Sequence, residues 1–504
     1  MNKITKLIQN VFVHRIPITK MDAKELQSAK VCALLFISVM LIAAFGLHSA
    51  ISSLTNAFAI KSTGRIATVQ ATPLAYKSEI RGVFFHEEIF GYQHDWQIIA
   101  STLAAYKIDA AYINSMQGSG RRPDSEWKQA IQAFHSRGIK VIIAWNVLGD
   151  VAINNNTAAW TSSGTIVNWN SPIRAKALLV SNAQYVASTY DIDGVMFDYI
   201  RYDTDDMDYC PEARAAFEQW LDQGPITNWT QFYPNQLRWK EFAEWRNIPV
   251  TELVRDLRAT MLAIKPNLDF SEAAWTYFQN CPIYWRKFIG QDTGDWIRKD
   301  YLDAVVPMMY TQDLTALQDE EQTNLKYMTA GPEGKIPLLA FLDVSRGLTP
   351  DGFKAEVNLT RSLGLDGWVL WHYGGPGSGS PSPDMTTFLS AITLPDTFSL
   401  GNIQVSYSDK LASITWTTDL PATSKVEYSS TQLFNASWEL WRGDFYYWGI
   451  NHINGTVIED ETLVTIHNMT ITGLSPGTQY YFRVQSQDPS GIATSKVLTF
   501  TTGS

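Results

Sequence analysis

Four times along the chain an aliphatic residue, an aspartate and a small residue precede an apolar run: Ile108-Asp109-Ala110, Ile192-Asp193-Gly194, Leu302-Asp303-Ala304 and Leu365-Asp366-Gly367. The runs that follow read AYI, VMFDYI, VVPMMY and WVLWHY. They have the length and residue types of buried strands. Residues 81–85, 140–145, 268–272 and 336–342 add four more such runs, while 126–137, 173–189, 251–264 and 353–363 have helical composition, the last ending at Gly364. Alternating strands and helices of this kind build a parallel sheet. Eight units over residues 78–393 predict an α/β fold, a (β/α)8 TIM barrel. In such a barrel the aspartate of each repeat falls in the turn that enters a strand, at the end reserved for stability. These four are therefore assigned to turn chemistry and not to catalysis.

The periodicity changes after Leu394-Pro395-Asp396. Residues 404–407, 412–417, 424–428, 463–471, 479–485 and 495–501 alternate apolar and polar residues between turn signals, which predicts an all-β sandwich over 397–504. The segments ITWTT at 414–418, SKVEY at 424–428 and LSPGTQYYFRV at 474–484 resemble a fibronectin type III domain. An insert at 431–455 departs from that pattern and carries Trp438, Trp441, Phe445, Tyr446, Tyr447 and Trp448. It reads equally as a docking surface or as an extra aromatic hairpin.

Residues 31–60 contain no charged side chain, and 31–47 is close to continuously apolar. Lys3, Lys6, Arg15, Lys20, Lys24 and Lys30 precede it. A basic flank followed by an apolar run predicts a cytoplasmic tail at 1–30, a membrane signal anchor at 31–53 and a linker at 54–77, with the remainder exported to the cell surface. Cleavage near Ala57-Phe58-Ala59, giving a secreted protein, is the alternative. Cys210 and Cys281 fall in the exported part and are expected on one face of the barrel, where a disulfide could bridge them; two free thiols are the alternative. The net charge of −10 disfavours nucleic acid as a partner.

Side chains at the C-terminal ends of barrel strands face the active site. Asp198 caps the fourth strand beside Tyr199 and Arg201, and Glu272 lies at the end of the fifth. A pair of carboxylates is what glycosidic cleavage requires. The other strand ends contribute His86, Asn114, Trp145, Asn146, Trp275, Tyr310, Asp313, Asp343, Arg346, Trp371 and His372, polar groups among aromatics suited to hydroxyls and to the apolar faces of sugars. Asp203, Asp205, Asp206 and Asp208 follow the fourth strand. They could ligate Ca²⁺, but the run lacks the glycine and distal glutamate of an EF-hand loop and reads first as a solvated acidic loop. No cofactor is expected. The absence of P-loop, strand-linked GxGxxG and GxSxG motifs leaves nucleotide hydrolysis, dinucleotide chemistry and the α/β-hydrolase reaction without support.

The run DIDGVMFDYIRYD resembles the fourth-strand signature of glycosyl-hydrolase-like TIM barrels, with Asp203 where the family commonly has proline. GIKVIIAWNVL, LDAVVPMMY and GLDGWVLWHYGG resemble its third, sixth and eighth strands, so the likeness spans roughly 80–375. The resemblance implies a carbohydrate-active barrel distantly similar to α-amylase-type enzymes. It further implies Asp198 as nucleophile and Glu272 as acid/base of a retaining glycoside hydrolase acting on an extracellular poly- or oligosaccharide. A non-catalytic glycan-binding or adhesion protein on a degenerate barrel is the competing expectation, and a barrel hydrolase or lyase of another class is a third.

Overall fold

The computed structural model describes residues 65–69, 77–86, 94–117, 120–121, 124–149, 156–276, 288–327, 330–331, 334–376, 383–441, 445–452 and 455–503. The chain divides into two units, Met1–Gly64 and Arg65–Ser504, and all described residues belong to the second. The expected anchor, tail and cleavage site lie outside the described residues. Among those described, no helix is long and apolar enough to cross a membrane.

A first strand, β1 (Arg65–Val69), precedes the barrel. The barrel strands are β2 (Ile80–Phe85), β3 (Ala110–Gln117), β4 (Lys140–Asn146), β5 (Gly194–Asp198), β6 (Asp269–Trp275), β7 (Ala304–Met308), β8 (Leu339–Asp343) and β9 (Gly367–Trp371). They are parallel and neighbour one another in chain order, and β9 and β3 both pair with β2, so the sheet closes. Helices α1 (Trp96–Ala105), α2 (Asp124–His135), α3 (Lys176–Thr189), α4 (Pro211–Leu221), α5 (Trp239–Trp245), α6 (Asn247–Leu262), α7 (Thr293–Arg298), α8 (Leu314–Tyr327), α9 (Pro350–Leu363) and α10 (Met385–Ala391) fill the connections. Alternation along each strand divides the buried residues into two sets. Ile80, Phe84, Tyr112, Ile142, Ala144, Met196, Ala273, Val306, Phe341 and Val369 fill the lumen. Phe85, Ile143, Trp145, Phe197, Phe270, Val305 and Leu342 pack outward against the helices.

The four repeat aspartates do what their position predicted, in a regular way. Asp109, Asp193, Asp303 and Asp366 each accept a hydrogen bond from a backbone N–H of the neighbouring strand, at Arg81 (2.9 Å), Val141 (2.9 Å), Phe270 (2.9 Å) and Leu338 (3.0 Å). Each returns its own N–H to the carbonyl of that same residue. One aspartate thus ties β3 to β2, β5 to β4, β7 to β6 and β9 to β8. The motif recurs four times and not eight because it acts on strand pairs.

The C-terminal domain has a separate core around Trp416, Val426, Phe482 and Phe500. Its strands are β10 (Leu400–Tyr407), β11 (Leu411–Ser429), β12 (Phe434–Trp441), β13 (Phe445–His452), β14 (Thr456–Thr472), β15 (Gln479–Asp488), β16 (Gly491–Thr494) and β17 (Leu498–Thr501). The first half of β11 lies between β10 and β14 and its second half between β15 and β14, with a register shift around Pro421, which cannot donate to a ladder. The aromatic insert takes the hairpin form, β12 pairing antiparallel with β13 and Trp438 opposite Trp448.

One boundary is corrected. Arg65–Val69 falls in the expected linker, yet β1 pairs antiparallel with β10 and extends the sheet of the C-terminal domain. The chain therefore enters that domain before it builds the barrel. Lys107 and Arg81 pin the interdomain segment to the barrel base through the carbonyls of Leu394 (2.9 Å) and Pro395 (3.0 Å).

Candidate active site

The C-terminal ends of β2–β9 bring most of the sequence-selected residues together. Asp198 ends β5 in the luminal register of Met196, is 6% exposed, and accepts a 2.8 Å hydrogen bond from the N–H of Tyr199. Tyr199 adopts a left-handed backbone (φ 49°), strained for a bulky residue. Its ring lies where a β-carbon on Gly149 would stand only 2.3 Å away, so that position admits only glycine. The carbonyls of Asp198 and Tyr199 accept from Val147 (2.9 Å) and Leu148 (3.2 Å), which fixes the turn. Asn146, beside Asp198 in register, accepts from the amide of Asn114 at 3.3 Å; both are buried.

Asp343 ends β8 in the luminal register of Leu339 and Phe341 and is also 6% exposed. It pairs with Arg346 (2.8 Å) and accepts from the N–H and hydroxyl of Ser345 (2.7 and 2.6 Å). Tyr310 lies close enough to both acids to feel their charge. Burial first, then the negative charges of Asp198 and Asp343, push its phenol well above the ordinary range, and the Arg346 guanidinium covers its ring at 5.4 Å. Trp371 completes an aromatic floor, with ring centroids 4.8 Å from Phe84, 6.0 Å from Tyr310, 4.9 Å from His86 and 5.3 Å from His372. Arg201 is enclosed by the rings of Tyr199 (4.8 Å), Trp275 (5.4 Å) and Trp169 (5.6 Å).

Other selected residues lie elsewhere in the structure. Glu272 is fully buried, but it occupies the outward register of β6, opposite Phe197 and Val305, and so faces the layer between sheet and helices, away from the lumen that holds Asp198. Trp145 likewise belongs to the outward core. Asp313 is exposed and caps α8 by accepting from the N–H groups of Thr315 (2.8 Å) and Ala316 (3.3 Å). Cys210 is a free buried thiol that caps α4 by accepting from the N–H of Ala213, and burial pushes its pKa up; Cys281 lies outside the described residues. The acidic run after β5 is spent on backbone amides, Asp206 accepting from Ser162 (3.1 Å) and the buried Asp208 from Trp160 (3.0 Å) and Cys210 (3.1 Å), whereas Asp203 is exposed. Among the described residues no group of three or more acidic, histidine or cysteine side chains is placed to hold a metal ion. Sequence reasoning did not select Ser345, Gly149 or Trp169, which act only through spatial neighbours and carry no local signal.

A family model described as Glycosyl hydrolase-like 10 matches residues 150–331, which include β5 and β6. A second, described as Purple acid Phosphatase, N-terminal domain, matches residues 401–502, so a β-sandwich stands for the C-terminal domain without the fibronectin type III assignment. No curated protein matches the chain significantly. Among solved structures, the catalytic domain of a β-amylase from Paenibacillus polymyxa aligns at 13% identity over 63% of this chain and 98% of its own, with a TM-score of 0.45. A β-galactosidase from the psychrophilic Marinomonas ef1 aligns at 12% over 58% of this chain and 54% of its own (TM-score 0.43). An endo-β-1,4-mannanase from Thermotoga petrophila aligns at 9% over 86% and 99% (TM-score 0.38). The part of the barrel that carries Asp198 is thus glycosyl-hydrolase-like in sequence.

Proposed function

We propose that the protein is a glycoside hydrolase that cleaves a poly- or oligosaccharide at the C-terminal end of its barrel, with Asp198 and Asp343 as the carboxylate pair. The observation that carries the reading is the presence of two buried aspartates in luminal register at the ends of β5 and β8, both acting on the phenol of Tyr310. Glycosidic cleavage needs one carboxyl to protonate the departing oxygen and a second, as an anion, to attack the anomeric carbon or activate water. Arg346 and Ser345 donate to Asp343, an arrangement suited to the carboxylate that attacks or activates water, and the proposal gives the proton-donating role to Asp198. That reverses the role which the family resemblance gave Asp198, and replaces Glu272 as its partner. Trp371, Tyr310 and Trp275 offer aromatic faces for a sugar ring, and Asn114, Asn146, His86 and His372 offer polar groups for its hydroxyls. Export to the cell surface is part of the proposal and rests on the apolar run at 31–47.

The test is hydrolysis of a glycan panel by the chain from about residue 61, followed by variants. Asp198→Asn should lose activity on natural glycans yet keep much of it on aryl glycosides whose leaving group needs no proton, whereas Asp343→Asn should lose both. Glycan binding without hydrolysis by the wild type on any substrate would favour a binding protein on a degenerate barrel.

A further inference from the structure

The luminal row beside Asp198 holds a polar atom that the fold leaves without a partner. Asn114 on β3, Asn146 on β4 and Asp198 on β5 stand on three neighbouring strands, all in luminal register, and are 2%, 3% and 6% exposed. A ligand that reaches the Asp198 carboxyl meets the two asparagines at a similar depth. Asn114 faces Ala144 in register, and the ladder between β3 and β4 slips immediately after it, an irregularity of the kind that re-aims a side chain. The Asn114 amide spends its Nδ2 on the Oδ1 of Asn146 (3.3 Å), while its own Oδ1 is buried and accepts from no donor among the described residues. A buried carbonyl left in that state is costly and calls for something that completes it. The amide cannot simply turn end for end. Turned alone, Asn114 sets its carbonyl against the carbonyl of Asn146; if Asn146 turns with it, the Asn146 carbonyl faces the strand that carries the Asp198 carboxyl, where like partial charges repel. The contact with Asn146 therefore leaves an acceptor, and not a donor, at the luminal end of Asn114.

We propose that Asn114 is a specificity-determining residue whose Oδ1 accepts a hydrogen bond from one hydroxyl of the sugar seated at Asp198, with Asn146 as the residue that holds the amide in that sense. The inference rests on the reading of this end of the barrel as a glycosidase site, and adds a requirement to it: the substrate must carry, at one ring position and in one configuration, a hydroxyl that donates. An epimer points that hydroxyl elsewhere, a deoxy sugar lacks it, and a deoxyfluoro sugar offers an acceptor to an acceptor. All three leave Oδ1 unpaired. A site built to pair with a hydroxyl rejects analogues without one far more strongly than an apolar pocket rejects a missing methylene.

The test compares wild type with Asn114→Leu, Tm recorded for both, on the aryl glycoside that the wild type cleaves fastest and on its monodeoxy and monodeoxyfluoro derivatives at each ring hydroxyl. At one position the wild type should lose at least about tenfold in kcat/KM with the deoxy derivative, whereas Asn114→Leu should cleave parent and deoxy derivative at similar rates. The deoxyfluoro derivative at that position should show the same difference between the two proteins; the inductive effect of fluorine is common to both and cancels in the ratio. If Asn114→Leu does not fold, Asn114→Ala must give the same pattern. Asn146→Leu frees the amide to turn, so it should weaken the discrimination and regain the deoxyfluoro derivative in part. Equal discrimination by wild type and Asn114→Leu at every position would overturn the inference, and so would a position at which the wild type rejects the deoxy derivative but accepts the deoxyfluoro one, since a donor would then face the sugar. Should the wild type hydrolyse nothing, the glycosidase reading fails by itself, and titration calorimetry of a bound glycan and its monodeoxy set against the same two proteins decides the role of Asn114. A chain that neither cleaves nor binds any glycan of the panel overturns both.

Discussion

The two ends of the barrel use aspartate in opposite ways. At the N-terminal end, Asp109, Asp193, Asp303 and Asp366 each accept one backbone N–H from the neighbouring strand, and three of them pair with cations: Asp109 with Lys77 (2.6 Å), Asp193 with His135 (2.8 Å) and Lys140 (3.1 Å), and Asp303 with Arg258 (3.3 Å). At the C-terminal end, Asp198 and Asp343 are buried beside Tyr310, and the aromatic floor of Trp371 lies against the same ring. A carboxylate that ties its strand to the neighbouring one stabilises a fold. One that faces a lumen lined by aromatics can meet a substrate.

Substitution should separate the two sets. The largest effect is expected at the C-terminal end: Asp343→Asn should reduce kcat/KM at least about 10³-fold with little change in Tm, measured by initial rates and calorimetry on the same sample. At the other end, Asp193→Ala removes an acceptor from the Val141 N–H and an ion-pair partner from His135 and Lys140, and should cost roughly 1–3 kcal/mol of stability with kcat per folded molecule unchanged. Large loss of turnover in Asp193→Ala without loss of Tm would erase the contrast.

The same contrast appears in pH. The Asp193 carboxyl is lowered by its donors although burial opposes them, and His135 is raised by its hydrogen bond to Asp193. The Asp193 contribution is present above the ordinary carboxylate value of 3.8 and is lost as pH falls through the lowered one. The His135 contribution is complete below 6.5 and is lost as pH rises through the raised one. Elsewhere in the barrel wall, burial raises Glu320 and Glu321 to about 7 and Glu356 to about 8. Groups raised from 4.5 favour the fold below that value and withdraw their support as pH climbs to their folded values. Thermal melts should therefore show Tm falling from pH 4.5 toward about 8, with a shallower fall in Glu356→Gln. A Tm that rises across that interval would contradict the burial of these acids. The smallest effect is expected at Asp313, where loss of the α8 cap in Asp313→Ala should cost about 0.5–2 kcal/mol and leave kcat/KM as it was.

Much of the barrel was legible because its signals are local and repeated. The eight strands follow from eight apolar runs, the clamp aspartates from a four-fold motif, and Asp198 from its place at the end of a run that begins with one of them. Where the structure places a side chain differently, one cause recurs. Side chains alternate across a strand, so a boundary misplaced by one residue exchanges lumen for wall. Glu272 and Trp145 were placed at strand ends correctly and on the wrong face. Asp343 was selected only as one polar residue among many, since the Arg346 and Ser345 contacts that single it out belong to the folded turn. The pairing of β1 with β10 spans the whole barrel in sequence, and five residues, RIATV, carry no sign of it. Cys210 and Asp313 both cap helices whose first turns demand acceptors, a task that no local signal announced.

The identity of the acid that accompanies Asp198 decides the chemistry of the site. The most direct measurement is kcat/KM of wild type, Asp343→Asn and Glu272→Gln on one aryl glycoside at neutral pH, with Tm recorded for each. The predicted result is a loss of at least about 10³-fold in Asp343→Asn and near-wild-type turnover in Glu272→Gln, all three proteins folded. Turnover retained in Asp343→Asn and abolished in Glu272→Gln would contradict it.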